Sequence, residues 1–66
     1  MHPLLKYRDT TGLSQQELGE LVGLSKAQIS RIEAGRSAPS PGSAERLAAI
    51  VGVPAWAITR HVSVAS

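Results

Sequence analysis

A short segment, residues 25–34, places cations, an amide and small groups on one side of a predicted helix. Its outward positions are Lys26, Ala27, Gln28, Ser30 and Arg31. Amide, hydroxyl and guanidinium groups of this kind match the donors and acceptors that base pairs present in a major groove. No acid occurs in this helix before Glu33, so contact with a polyanion is not penalised at its leading end. The segment therefore predicts a helix face able to approach base edges.

Two capped helices joined by a tight turn must hold that face in place. Ser14 is followed three residues later by Glu17, and Ser25 by Gln28, and each pair has the spacing of a capping box. Gly23 lies between the two predicted helices, where a residue of positive φ is needed, and glycine adopts that conformation without a Cβ clash. The spacing predicts one helix from about Gln15 and a second ending at Gly35.

A buried face shared by both helices follows from apolar residues three or four apart. The predicted inward residues are Leu18, Leu21, Val22, Ile29 and Ile32. Leu24 is expected to fill the corner between the helices. Gly19 lies at helical spacing but is small, and because glycine inside a helix costs about 1 kcal/mol relative to alanine, we expect that it allows the two helices to cross closely.

The first helix is predicted from Pro3 to about Thr10, with Leu4 and Tyr7 buried together. Arg8 lies on the same side as Leu4, so its guanidinium needs a partner wherever it points inward. Glu33, beside the predicted core, is the obvious candidate.

The chain after Gly35 is predicted to hold a loop and two further helices. Two prolines and two glycines in residues 35–42 favour a loop. A fourth helix begins near Pro41, with Ser40 or Ser43 as alternative starts, and ends at Gly52. Its predicted buried stripe is Ala44, Leu47, Ala48, Ile50 and Val51.

A short fifth helix is predicted to open at Val53-Pro54 and run to about Thr59. Its Trp56 is expected in the core or in a dimer contact rather than stacked on a base. Residues 60–66 alternate apolar and polar side chains, and we expect a frayed end there rather than a strand. The prediction is an all-α, compact bundle of five short helices in one domain, 1–66, with a core of about 3–59.

Composition excludes several classes of protein. The 66 residues contain no cysteine, which excludes disulfides and thiolate metal sites and fits a reducing cytoplasm. No apolar run is long enough to span a bilayer. His2 and His61 lie far apart and are expected to be solvated terminal side chains, and nothing arranges a catalytic triad. We therefore expect a cytoplasmic protein that is not an enzyme, with no cofactor, metal, membrane or small-molecule ligand. The net charge is only +2, so the overall charge by itself gives weak support for a nucleic-acid partner.

Residues 12–40, GLSQQELGELVGLSKAQISRIEAGRSAPS, resemble the helix-turn-helix of phage-repressor and Cro-like proteins, the xenobiotic-response-element family of bacterial regulators. The resemblance runs from roughly Leu4 to Ile58 and implies a lambda-repressor-like domain. It rests on Leu13-Ser14-Gln15, Leu18, Gly23, Leu24-Ser25, Ile29-Ser30, Ile32-Glu33 and Gly35. Gly19 departs from the pattern, since alanine is commoner there. So does the start of the fourth helix, Pro41 to Ala44, where bulkier apolar residues are usual.

The resemblance implies a role for each candidate site residue. Gln15 contacts DNA phosphate and braces the start of the second motif helix, and Arg36 meets backbone phosphate. Arg8 and Glu33 form a structural ion pair between the first and third helices. The base-reading residues are Lys26, Ala27, Gln28, Ser30 and Arg31. Gln16, with exposed backbone N–H groups beside it, is a further phosphate contact expected from its position at a helix start.

The expected function is sequence-specific binding of double-stranded DNA by a bacterial or phage-encoded transcriptional regulator. The simplest form is a repressor that binds a palindromic operator as a homodimer, through residues 56–64 as a first guess for the dimer surface. Two alternatives stay open: an antitoxin or restriction-modification controller with a protein partner, and a protein-interaction module on the same fold. Lys26, Gln28 and Arg31 disfavour the last.

Overall fold

The computed structural model describes residues 2–59 of the chain, and this part contains five α-helices and no strand. The helices are α1 (Pro3–Thr11), α2 (Gln15–Val22), α3 (Lys26–Glu33), α4 (Pro41–Val51) and α5 (Ala55–Thr59). Helix α2 packs against α3, and α4 packs against α5, α1 and α2. The Cα radius of gyration is 10.6 Å, which matches the roughly 11 Å expected for a compact chain of this length. The predicted bundle of five short helices is confirmed.

Local sequence signals explain where α2 and α3 begin. The Ser14 hydroxyl accepts a hydrogen bond from the Glu17 N–H at 3.0 Å, and the Glu17 carboxylate accepts one from the Ser14 N–H at 2.9 Å. Ser25 and Gln28 repeat this arrangement at 3.1 and 2.8 Å. Gly23 ends α2 in the left-handed region, with φ 75°. Both predicted capping boxes and the predicted glycine turn are therefore present.

Helix α1 has a histidine at its start, which corrects the prediction of a solvated His2. The His2 side chain is buried, and its Nδ1 accepts a hydrogen bond from the Leu4 N–H at 3.1 Å. Pro3 occupies the first turn, where its missing N–H costs nothing. His2 therefore acts as the N-cap, a position that Ser, Thr, Asp and Asn fill more often.

The core lies where all five helices meet. Its fully buried large side chains are Leu4, Leu18, Val22, Ile29, Leu47 and Ile58. Leu24 packs against this cluster from the turn, as expected, and Tyr7 packs against it from α1. Because each helix contributes at least one of these residues, the core fixes α3 relative to the rest of the chain.

Two large apolar residues lie outside the core, against expectation. Leu21, predicted to face inward, is 58% exposed, and Trp56 is 60% exposed. Leu18 and Val22, four residues apart, are the α2 side chains that point at the core, and Leu21 falls on the edge of that stripe. The prediction that Trp56 lies in the core is therefore wrong. Its alternative, a dimer contact, stays a prediction.

Close packing requires Gly19, as predicted. The segment that packs most closely against it is the turn at Leu24, and not only the crossing helix α3. A methyl group at this position would overlap the carbonyl oxygen of Leu24. The Leu24 N–H in turn donates to the Gly19 carbonyl at 2.8 Å. The chain after Gly23 therefore folds back directly onto the backbone of α2, which only glycine permits.

Small residues form the beginning of α4. Ser40 is the N-cap, and Ser43 and Ala44 are buried. Arg46 covers this region, because its Nε donates to the carbonyl of Val22 at 3.2 Å and its Nη2 to the Ser43 hydroxyl at 3.3 Å. One arginine thus joins α4 to the last turn of α2, whose carbonyl groups have no partner within the helix.

Among residues 2–59, no helix combines the length and apolarity that a membrane span requires. The predicted fraying of residues 60–66 and the outer part of the predicted dimer surface lie outside the described residues, as does His61.

Candidate nucleic-acid interface

Helix α3 presents mostly polar residues to solvent and its two isoleucines to the core. Ile29 and Ile32 are 0% and 3% exposed, so burial of these two side chains holds the helix and orients its opposite face. All five of the residues predicted to read bases are exposed: Lys26, Ala27, Gln28, Ser30 and Arg31. The structure therefore brings these five residues together on the outer side of one helix.

The Gln28 side chain also forms part of the N-terminal cap of α3. Its carboxamide oxygen accepts the Ser25 N–H, so this atom is engaged in the helix cap. The carboxamide nitrogen takes no part in that bond and is the atom of Gln28 that can donate to a base or a phosphate. A two-point contact with adenine needs both atoms, and its oxygen would then have to serve the cap and the base together.

Arg31 turns back along α3. Its Nε donates to the Ala27 carbonyl over a long hydrogen bond of 3.4 Å. Residues four apart are neighbours on a helix surface, and the guanidinium lies beside Ala27. The two terminal nitrogens are not used in the bond, so the forked end of the group is available for a ligand.

Gln15 contacts the end of α3, whereas the family resemblance implied a brace at its start. Its Nε2 donates to Glu33 Oε1 at 2.9 Å, and the residue is partly buried. The expected brace at the start of α3 is wrong, since Gln15 contacts the last residue of that helix. The phosphate contact expected of Gln15 stays a prediction.

The start of α2 offers backbone donors. Ser14 takes up the N–H groups of Glu17 and Leu18 through its hydroxyl and carbonyl oxygens. Within residues 2–59, the N–H groups of Gln15 and Gln16 are then the ones at this helix start that neither cap nor helix uses. Gln16 is exposed. Such a helix end favours phosphate, although the Glu17 carboxylate lies in the same turn.

Glu17 is ionised at neutral pH. The hydrogen bond from the Ser14 N–H, and then the one with the Ser14 side chain, lower the pKa of Glu17. This charge works against a phosphate at the α2 start, so any attraction there comes from the N–H groups and the amides of Gln15 and Gln16.

The end of α3 fixes the position of Arg36. Gly35 adopts φ 74°, its N–H donates to the Ile32 carbonyl at 3.1 Å, and the Arg36 N–H donates to the Arg31 carbonyl at 2.9 Å. These are the paired bonds of a Schellman motif, and the left-handed residue in that motif is usually glycine. Arg36 is exposed directly behind α3, where a cation can reach a DNA backbone.

A partly buried ion pair anchors the same helix end. Arg8 Nε lies 2.6 Å from Glu33 Oε2, and Arg8 Nη2 donates to Glu33 Oε1 at 2.9 Å. Arg8 Nη1 also donates to the Leu13 carbonyl at 3.2 Å. With Gln15, these bonds tie together α1, the segment before α2 and the last residue of α3.

Burial and bonding act in opposite directions on the Glu33 carboxylate. Burial raises the pKa of Glu33. The hydrogen bonds from Arg8 and Gln15 and the charges of Arg8 and His2 together lower it by more than burial raises it, so the pKa of Glu33 lies below its ordinary value. The hydrogen bond with Glu33 likewise raises the pKa of Arg8, against the effect of burial. Both groups are therefore charged at neutral pH.

Two contacts were not predicted from the sequence: the His2 cap of α1 and the bond from Arg46 to the Val22 carbonyl. His2 had a usable signal, since Pro3 in the first turn of α1 makes residue 2 the cap. Arg46 had none, because its contact with Val22 spans 24 residues and depends on how α4 crosses α2.

Helices α2 and α3 are short and are joined at the left-handed Gly23. The exposed face of α3 carries cations and an amide. This arrangement defines a helix-turn-helix domain. A family model described as helix-turn-helix matches residues 4–55. The chain belongs to this family, in its phage-repressor and Cro-like form, and thus carries a DNA-binding domain of the type found in transcription regulators. Comparisons with curated proteins and with solved structures gave no match.

Proposed function

We propose that this protein is a sequence-specific regulator of transcription that binds double-stranded DNA as a homodimer, acts as a repressor and works in the cytoplasm of a bacterium. The observation that carries the proposal is the outer face of α3. It is exposed from Lys26 to Arg31, carries no acid, and is held by the burial of Ile29 and Ile32. Helix α3 enters the major groove, and its exposed side chains contact base edges.

Phosphate contacts position α3 in the groove. The candidates are Gln15 and Gln16 at the start of α2 and Arg36 behind the end of α3. These contacts supply much of the affinity and carry no sequence information, whereas the α3 side chains set sequence preference. Binding therefore weakens as salt rises.

A dimer places two α3 helices in successive major grooves of a palindromic operator, with half-sites about 34 Å apart. Trp56 supports a dimer surface near α5, because 60% of this large aromatic side chain is exposed in the single chain. Aromatic residues are enriched in protein interfaces for the area they bury. Repression follows most simply from occupation of the operator.

Selection from random duplexes, followed by sequencing, tests the proposal. We expect enrichment of one inverted repeat with half-sites one helical turn apart. Enrichment of a single, unrepeated site would contradict the homodimer, and no enrichment at all would contradict sequence-specific binding.

A matched pair of lysine variants separates a reading helix from general basic charge. Lys26→Ala removes a cation from the exposed face of α3, and Lys6→Ala removes one from α1. We expect Lys26→Ala to weaken binding to the selected duplex, with Lys6→Ala close to wild type. Equal losses would show that overall charge, and not α3, governs binding.

A further inference from the structure

Ala27 and Arg31 form one continuous strip on the outer face of α3. They are four residues apart, both are exposed, and the guanidinium lies beside Ala27, with a 3.4 Å bond from Arg31 Nε to the Ala27 carbonyl. Long helical side chains turn toward the helix N-terminus, and Arg31 takes the same direction here. A methyl group and a cationic fork therefore lie side by side.

The two parts of the strip have different chemistry. The fork retains its terminal nitrogens, and two parallel N–H groups match the O6 and N7 acceptors of guanine, the commonest partner of arginine in a major groove. The Ala27 side chain is a single methyl group. Its match in the same groove is the 5-methyl group of thymine, the one apolar feature among the four base edges.

The surroundings leave the strip available for these contacts. Ala27 is the only apolar residue among the five exposed residues of α3, a helix that lies wholly within residues 2–59. The only acid of α3, Glu33, does not compete for Arg31, because its carboxylate is 6% exposed and binds Arg8 and Gln15. Ser30 is small and leaves room beside Arg31.

We propose that Ala27 and Arg31 act together as a reader of two adjacent base pairs, with Arg31 on a guanine and Ala27 on the 5-methyl group of a thymine in the next pair. The inference rests on the proposed function, since it assumes that α3 lies in the major groove. It adds a specific ligand chemistry for Ala27, whose side chain cannot form a hydrogen bond.

The test uses the duplex that selection identifies. We expect each half-site to contain a thymine in the pair next to a guanine. Uracil in place of that thymine in one half-site removes only one methyl group, and the dissociation constant should rise about fourfold, the equivalent of about 0.8 kcal/mol for one buried methyl. Replacement of the guanine by 7-deazaguanine removes the N7 acceptor and should weaken binding about tenfold. Uracil at a thymine outside the half-sites should have no effect.

Variants show which residue reads which group. Ala27→Gly should bind the thymine and uracil duplexes equally, and Arg31→Ala should lose its response to 7-deazaguanine. Ala49→Gly is the matched control: it makes the same change at an exposed position of α4 and should keep the fourfold response to uracil. Circular dichroism of each variant reports whether the helices are kept.

The outcomes separate this inference from the proposed function. Selection of a site whose binding does not change with uracil, or an Ala27→Gly variant that still prefers thymine, would overturn the inference and leave sequence-specific binding intact. Failure to select any site would overturn both. The uracil and 7-deazaguanine arms use the wild-type chain, so they decide the matter even where a variant does not fold.

Discussion

Arg8 and Glu33 are joined by two hydrogen bonds, of 2.6 and 2.9 Å, across 25 residues of chain. The Glu33 carboxylate is almost fully buried, and the same carboxylate accepts the amide of Gln15. Helix α3, which is proposed to read DNA, therefore ends on a charged cluster shared with α1 and α2.

Glu33→Ala should lower the free energy of unfolding by about 3 to 5 kcal/mol, because it leaves the partly buried Arg8 without its partner. Denaturant titration measures the change. Glu45→Ala removes an exposed carboxylate from α4 and should alter stability by less than about 0.5 kcal/mol. A Glu33→Ala midpoint close to that of Glu45→Ala would mean that the ion pair contributes little.

The same cluster predicts how stability depends on pH. The pKa of Glu33 in the folded chain lies below its ordinary value of 4.5, so the unfolded chain takes up a proton first as pH falls. The contribution of Glu33 is therefore complete well above pH 4.5 and is lost as pH drops through 4.5 toward the folded pKa. Glu17 acts with the same sign.

Thermal midpoints of wild type and Glu33→Gln, measured between pH 3 and 7, check this sign. We expect the two proteins to differ most near neutrality and to converge at acid pH. A difference that grows as pH falls would contradict the assigned direction.

Gly19→Ala should destabilise the fold, although alanine is the better helix former, because its methyl group would overlap the Leu24 carbonyl oxygen. We expect a loss of about 1 to 3 kcal/mol, typical of an overpacked site. Gly42→Ala is the matched control, since a methyl group there meets only Arg46 Nη1 at 4.0 Å. That variant should be neutral or more stable by up to about 1 kcal/mol. Equal effects in chemical denaturation would show that the turn can move away.

Arg31→Ala should weaken binding to the selected duplex by about 1 to 3 kcal/mol and relax preference at one base position, because it removes a two-point contact with guanine. Fluorescence anisotropy with the selected and a scrambled duplex gives both affinities. A loss of equal size on the two duplexes would assign Arg31 to phosphate.

Gln15→Ala should weaken binding to all sequences alike, as expected of a phosphate contact. Because Gln15 carries no charge, the dependence of affinity on salt should stay unchanged, whereas Arg36→Ala should reduce the salt slope by about one per subunit. Gln15→Ala should also cost about 1.5 to 3 kcal/mol of stability through the lost bond to the charged Glu33. A changed base preference in repeat selections would argue against a phosphate role.

The helix starts and the turns could be predicted from the sequence because they depend on residues close together in the chain. Ser14 with Glu17 and Ser25 with Gln28 satisfy donors within one helical turn, and Gly23 supplies a left-handed residue whatever surrounds it. The exposed face of α3 followed from the same local periodicity. These features gave the helix-turn-helix and the residues proposed to contact bases.

Whether a residue at the edge of a helix's apolar stripe is buried depends on how helices far apart in sequence cross. Leu21 satisfies the apolar spacing as well as Val22 does, yet only Val22 is buried, because the position of α4 and α3 decides which edge of the stripe is covered. Trp56 lies outside the core for the same reason, and its alternative placement in a dimer contact stays a prediction. His2 was misplaced because nothing in its own residue type shows that the core reaches the start of α1.

The sequence by itself determined which residues of α3 face outward, since helical period and capping chemistry act over three or four residues. Only the tertiary structure decided what holds that face: Gln15 contacts Glu33 at the far end of α3, and the turn lies against Gly19. These contacts join segments that meet only when the helices pack, and their partners are set by packing geometry, which local spacing does not encode.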